Sequence, residues 1–236
     1  MEQLRSLLWS EYFRLDTRGE MPPIRATFAA SEHWGEQSRV LKLDMDRMSA
    51  IGHVVTCSNA KRIVMRHACC LPAHGYTQGN LYLLYPIMSV LRNEHDVFWA
   101  YLHACQLVCV YGPLNRTVLL SSEPIPDWVI ESVTTINPTI DVEWLRMGLS
   151  LRWIYPLWGQ SIPNTAARLA CLDYVFKSRL RILRFTASML RNSLQTVDFS
   201  TDNMEQLQSI FEFKIESARH VAVIIANAES KYGRIT

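Results

Sequence analysis

Leu41-Lys42-Leu43-Asp44-Met45-Asp46-Arg47 and, further along, Gly75-Tyr76-Thr77-Gln78-Gly79 are the stretches on which the reading of this chain turns. The first lies in a helical pattern over Gln37 to Met48. On a helix, Asp44 and Arg47 are i, i+3 neighbours about 60° apart around the axis, so the carboxylate can hold the guanidinium stem. Leu41 lies on an adjoining part of that surface and anchors the turn in the core. Taken alone, Asp44 and Arg47 are an ordinary surface ion pair, worth little in stability. In the second stretch, Tyr76 and Gln78 would sit about 200° apart on a continuous helix, so they serve one site only if the segment is a loop entering a helix. Pro72 and Gly75 permit that entry, and Gly79 removes a side chain just beyond Gln78, where another backbone could approach closely. Taken alone, this is a helix-start turn with a buried tyrosine.

Around both stretches, apolar residues recur at three and four rather than at two, which predicts an all-α fold. Leu4, Leu7, Leu8, Tyr12 and Leu15 form the stripe of a first helix, closed by Gly19 and Pro22-Pro23. A helix over about Lys61 to Leu71 ends before Pro72, and another runs from Gln78 to Leu91 with a kink expected at Pro86. Asn93, Glu94 and Asp96 supply an N-cap and an acidic first turn ahead of Val97 to Val110. Past Gly112-Pro113, the prolines at 124, 126 and 138 leave room for short helices around Asp127 to Thr134 and Asp141 to Met147. This looser stretch divides one domain, residues 1–236, into helical lobes of about 1–112 and 113–236. Helix resumes over Ser150 to Gln160, bent by Pro156, then over Asn164 to Phe176 and Leu180 to Leu194. The last segment opens on Asp202-x-x-Glu205, close to a capping box, and carries Leu207, Phe211, Ile215, Ala218, Ala222 and Ile225 as one stripe.

The 236 residues are 49% hydrophobic, enough for a substantial core. A net charge of +2 from 24 basic and 22 acidic residues gives no global field for nucleic acid or an acidic membrane. Lys177, Arg179, Arg181, Arg184 and Arg191 are a local basic run, read as a solvated face or helix-end charge, with an acidic partner surface as the alternative. Six cysteines without framework spacing, and no N-terminal secretory signal, suit the reduced thiols of a cytoplasmic protein. His67, Cys69, Cys70 and His74 lack paired C-x-x-C ligands, and Cys105 with Cys109 reads as helix core, so no metal is expected. The apolar run from Phe98 to Val110 is broken by His103 and Gln106 and is too short to span a bilayer. No phosphate-binding loop, nucleophile elbow or H-E-x-x-H occurs, so a self-contained hydrolase is unsupported. An arginine donated to another protein's nucleotide fits what is left.

With these residues in view, the chain resembles the TBC domain, the GTPase-activating domain that acts on Rab-type small GTPases. Leu41-x-x-Asp44-x-x-Arg47 looks like that family's I-x-x-D-x-x-R motif, and Gly75-Tyr76-Thr77-Gln78-Gly79 looks like its G-Y-x-Q-G motif. Further likenesses follow in family order: Leu4-Arg5 with Trp9, Asp96-Val97-Phe98-Trp99, Leu151-Arg152-Trp153 before Ile162-Pro163, and Asp173-Tyr174-Val175-Phe176. The resemblance implies an all-helical, two-lobed TBC-type domain with a groove for the GTPase. It also implies that Arg47 is an arginine finger and Gln78 a glutamine finger, with Asp44, Tyr76, Gly75 and Gly79 supporting them. GTP and Mg²⁺ would belong to the partner, a Rab-type GTPase in its GTP form, and the chain itself would carry no cofactor. The chain departs from the family at Met48 and Ser49, where Thr and Pro are usual, at Asn80 in place of Met, and at Leu172 in place of Trp. The rival expectation is a TBC-like scaffold that binds a small GTPase without accelerating it. No lipid signal is readable, so any recruitment to endomembranes would come through a partner.

Overall fold

A computed structural model gives the fold over residues 2–50, 57–70, 76, 78–111, 117–119 and 125–233. The chain is all-α. Its helices are α1 (Glu2–Phe13), α2 (Ala26–Ala29), α3 (Glu32–Ala50), α4 (Cys57–Cys70), α5 (Leu81–Val90), α6 (Glu94–Val108), α7 (Asp127–Ile136), α8 (Val142–Gly148), α9 (Thr165–Val175), α10 (Arg179–Ser193), α11 (Asn203–Glu212) and α12 (Ala218–Tyr232). Two three-residue strands, β1 (Cys109–Tyr111) and β2 (Thr117–Leu119), pair with each other. Two compact units result: Met1–Gln106 with Tyr111–Thr117, and Leu107–Val110 with Val118–Thr236.

In the first unit, α5 is the central helix, packed against α1, α3 and α4. It is buried at Leu81, Tyr82, Leu83, Leu84, Pro86, Ile87 and Val90, an almost uninterrupted apolar surface that demands neighbours on every side. The helix starts at Leu81 rather than Gln78, because residues 78–80 form a turn. The face of α1 differs from the expected leucine stripe. Trp9 and Phe13 are fully buried and meet edge to face at 6.3 Å, and Phe13 packs on His103 of α6, whereas Leu4 and Leu7 are 63% and 69% exposed. The two aromatic rings bury more area than the leucines and set the helix rotation. Leu15 leaves the helix altogether, since Arg14 takes a left-handed conformation with φ 51°. At the other end of the unit, Asn93 Oδ1 accepts from His95 N at 3.0 Å, and Glu94 and Asp96 occupy the first turn of α6. That helix stops at Val108, so Cys109 enters β1 and does not share a helical face with Cys105.

In the second unit, Asp141, Asn164, Ser178, Asp202 and Ser217 cap α8, α9, α10, α11 and α12, each side chain accepting from a first-turn backbone N–H. The α10 helix packs against α7, α9 and α12. The helix expected over Ser150 to Gln160, bent at Pro156, is interrupted there instead. A π-helical turn over Leu149–Ile154 gives way to left-handed Leu157 and Trp158, with φ 44° and 54°. Both are fully buried, and Trp158 stacks edge-on against Phe185 at 4.7 Å, so burial of the indole holds a conformation that Pro156 opens by removing a backbone donor. The final stripe is likewise broken. The chain leaves helix after Glu212, Ile215 N donates to Ser161 O at 2.8 Å, and Ser217 starts a new helix. The new register buries Val221, Ile224, Ala228 and Tyr232, and turns Ala218 and Ala222 to solvent. Within the basic run, Arg184 is buried and donates to Gly233 O at 3.1 Å, and Arg181 lies over the Tyr174 ring at 4.9 Å. These two arginines are structural. No helix among the described residues is long and apolar enough to cross a membrane.

A pH-dependent tether joins α6 to the chain that follows α1. His95 Nδ1 lies 3.0 Å from Asp96 Oδ1 and Nε2 lies 3.0 Å from Gly19 O, so only the imidazolium donates to both. The Asp96 hydrogen bond, and then the Gly19 carbonyl, raise the His95 pKa above its ordinary value. A raised folded-state pKa means that the tether's stabilisation is fully present below the unfolded value of about 6.5 and is lost as pH rises through the folded value. An NMR titration of the His95 ring should therefore give a midpoint above 6.5, falling back in Asp96→Asn; a native midpoint at or below 6.5 contradicts the tether.

Candidate functional site

The site is built on one face of α3. Trp34, Gln37, Leu41, Asp44 and Met48 are all buried, at spacings of three and four that place them on a single stripe. Three are apolar and anchor the helix in the core. The other two, Gln37 and Asp44, face the chain that leads into α5. Asp44 is only 2% exposed, and burying a carboxylate demands partners.

Three groups supply them. Asp44 Oδ1 accepts from Arg47 Nη1 at 3.0 Å, while Oδ2 accepts from the Tyr76 hydroxyl and from Gly79 N, both at 2.7 Å. The i, i+3 pairing expected on the helix is present, with Arg47 still 53% exposed at the side chain. Tyr76 is buried, and its backbone N donates to Gln37 Oε1 at 2.8 Å. Tyr76 lies outside helix and residues 78–80 form a turn, so the segment is a loop entering a helix, the arrangement that lets Tyr76 and Gln78 serve one site. Gln78 is exposed.

Gly79 has φ 95°, a conformation that side-chain-bearing residues rarely adopt, and this aims its N–H at Asp44. Its carbonyl then accepts from Tyr82 N at 3.0 Å, and the Asn80 carbonyl accepts from Leu83 N and Leu84 N, both at 3.1 Å, opening α5. The peptide that follows Gln78 and the guanidinium of Arg47 are thus held by the two oxygens of one carboxylate.

Gly75, and with it Pro72, His74 and Thr77, lies outside the described residues. Among the departures, Met48 and Asn80 are buried, Leu172 is core in α9, and the side chain of Ser49 lies outside the description. Gln37 escaped the sequence reading, which used it only as a helix boundary. The signal that could have found it is its place two helical turns before Asp44 on the buried stripe.

No family model matches the chain, and no curated protein is significantly similar to it. Among solved structures it is similar to the crystal structure of the Chlamydomonas flagellar RabGAP TBC domain, with a TM-score of 0.56, 14% identity, and coverage of 97% of this chain and 79% of that one. This chain has the TBC-domain fold. Within that fold, the buried carboxylate with its three donors and the left-handed glycine are the two demanding features of the site.

Asp44→Ala leaves the Tyr76 hydroxyl and the Gly79 N–H without their acceptor, and a loss of about 2–4 kcal/mol is expected in urea unfolding. A loss below about 0.5 kcal/mol, the range of an ordinary surface substitution, contradicts the geometry. Gly79→Ala should cost about 1–3 kcal/mol for the forced left-handed backbone. As its control, Gly35→Ala, on α3 with open space around the added methyl, should be neutral or stabilising by up to about 1 kcal/mol.

Proposed function

We propose that this protein is a GTPase-activating protein for a Rab-type small GTPase in its GTP form, supplying Arg47 and Gln78 in trans. The observation that carries the reading is the shared Asp44 carboxylate, which holds the Arg47 guanidinium at 3.0 Å and the Gln78–Gly79 peptide at 2.7 Å. The TBC fold, in common with a flagellar RabGAP, supports it.

GTP and Mg²⁺ come with the partner. In the proposed mechanism, Gln78 orients the attacking water while Arg47 offsets charge developing on the phosphates. A finger in trans is worth on the order of 10³ to 10⁵ in rate, about 4 to 7 kcal/mol of barrier. The geometry suits the work. Gln78 has its backbone fixed by the neighbouring peptide, so only side-chain torsions remain to be ordered on binding. Arg47 is oriented by Asp44, and its side chain is still 53% exposed, so the guanidinium is open to a partner's phosphates while the buried carboxylate holds its Nη1. Tyr76 and Gly79 keep the turn against α3 through the other carboxylate oxygen. The protein acts in the cytoplasm in this reading, and meets endomembranes through its bound GTPase.

Single-turnover GTP hydrolysis across a panel of small GTPases tests the proposal. At least one should be accelerated, and Arg47→Ala or Gln78→Ala should each lower that acceleration by about 10²-fold or more. Binding of a GTP-form GTPase without acceleration would favour the scaffold alternative. Undiminished acceleration by Arg47→Ala would remove the arginine from the mechanism.

A further inference from the structure

Within the buried stripe of α3, the chain is apolar at Trp34, Leu41 and Met48 and polar at Gln37 and Asp44. Both polar side chains bond to the turn between Tyr76 and Gly79. A leucine at position 37 would bury apolar area without the cost of desolvating an amide, so the glutamine answers a local need. One such need is the Tyr76 N–H. Tyr76 is buried and outside helix, and its backbone donor requires an acceptor. Gln37 Oε1 provides it at 2.8 Å, from a side chain that is 7% exposed.

We infer that Gln37 is a positioning residue for the glutamine finger, clamping the entry to the turn that carries Gln78 while Asp44 clamps its exit. This rests on the GTPase-activating reading above. The argument is geometric. Tyr76 N, the Tyr76 hydroxyl and Gly79 N are three separate points at which α3 holds the turn. Two of these points are backbone N–H groups on either side of Gln78; without the one at Tyr76 N, the entry side is held to α3 only through the rotatable Tyr76 side chain, about which the backbone can pivot. Gln78 lies between the clamped ends, and its exposed amide moves with any such pivot. A displacement of about 1 Å at a catalytic group can cost about 10²-fold in rate. Because binding of the GTPase uses a wider surface than this one side chain, the loss falls on kcat rather than on KM.

The test uses the full chain with Gln37→Leu, which removes the acceptor at similar volume, and Gln37→Glu, which keeps it. Gln37→Met serves as a second acceptor-free variant should the leucine fail to fold. Native-state amide exchange by NMR needs no partner: exchange at Tyr76 should quicken by about tenfold or more in Gln37→Leu, with Leu84 in α5 unchanged and Gln37→Glu close to native. Unchanged exchange at Tyr76 overturns the clamp. In single-turnover hydrolysis with a responsive GTPase, Gln37→Leu should lower kcat by about tenfold or more with KM within about twofold, and Gln37→Glu should recover most of the rate. A rise in KM alone, or equal rate losses in both variants, overturns the positioning role. If the native chain accelerates no GTPase, the activating reading fails and the catalytic role of Gln37 fails with it, while exchange at Tyr76 still decides whether the clamp exists.

Discussion

A carboxylate buried to 2% exposure is the constraint on which this site depends. An unpaired charge in that position costs several kcal/mol, so any fold of this sequence that buries Asp44 must bring donors to it. Only one comes from its own helix. The other two, the Tyr76 hydroxyl and the Gly79 N–H, come from a segment more than thirty residues later, and their shared acceptor forces the entry to α5 against α3. Hydrogen bonds to a charged acceptor are short and strong, and both of these are 2.7 Å. The carboxylate therefore does two things at once. It is satisfied as a buried charge, and it brings an arginine and a glutamine-bearing turn to one place.

The rest of the unit makes that meeting rigid. Leu41 and Met48 flank Asp44 on α3 and are fully packed, so the helix cannot rotate to carry the carboxylate away. Leu81 to Leu84, directly after the turn, are buried in α5, the helix around which α1, α3 and α4 gather. A site whose first members sit on a packed helix and on the fixed start of another is better preorganised than one on a free loop. The unusual residues at 48 and 80 belong to this supporting layer. Both are buried, so their chemistry acts on packing behind the site, while Arg47 and Gln78, the groups proposed to meet a nucleotide, are exposed.

Much of this was legible in the sequence, for identifiable reasons. The Asp44–Arg47 pair follows from helical spacing, and the angular conflict between Tyr76 and Gln78 made a loop entering a helix the condition for their serving one site. What spacing could not supply was the third dimension. Gln37 looked like a helix boundary because its partner is a backbone N–H, which leaves no trace in side-chain pattern. The face of α1 was misjudged because four leucines and a tyrosine outnumbered Trp9 and Phe13, although the aromatics bury more area each. The break after Glu212 carries no glycine or proline to announce it, and Ser217 as a new N-cap was its one local sign. Leu157 and Trp158 are left-handed only because tertiary burial of the indole outweighs their preference, a competition invisible to local propensity.

The central claim is that the two fingers act together on a transition state rather than merely gripping a GTPase. Preferential binding of the transition state is the physical meaning of that claim. Its most direct measurement is the affinity of the chain for a responsive small GTPase loaded with GDP and aluminium fluoride, compared with the same GTPase loaded with GDP alone or with a non-hydrolysable GTP analogue. The account expects the aluminium fluoride complex to be the tightest, with that preference abolished by Arg47→Ala and by Gln78→Ala. Equal affinity for the GTP-analogue and aluminium fluoride forms, unaltered by either substitution, would contradict it.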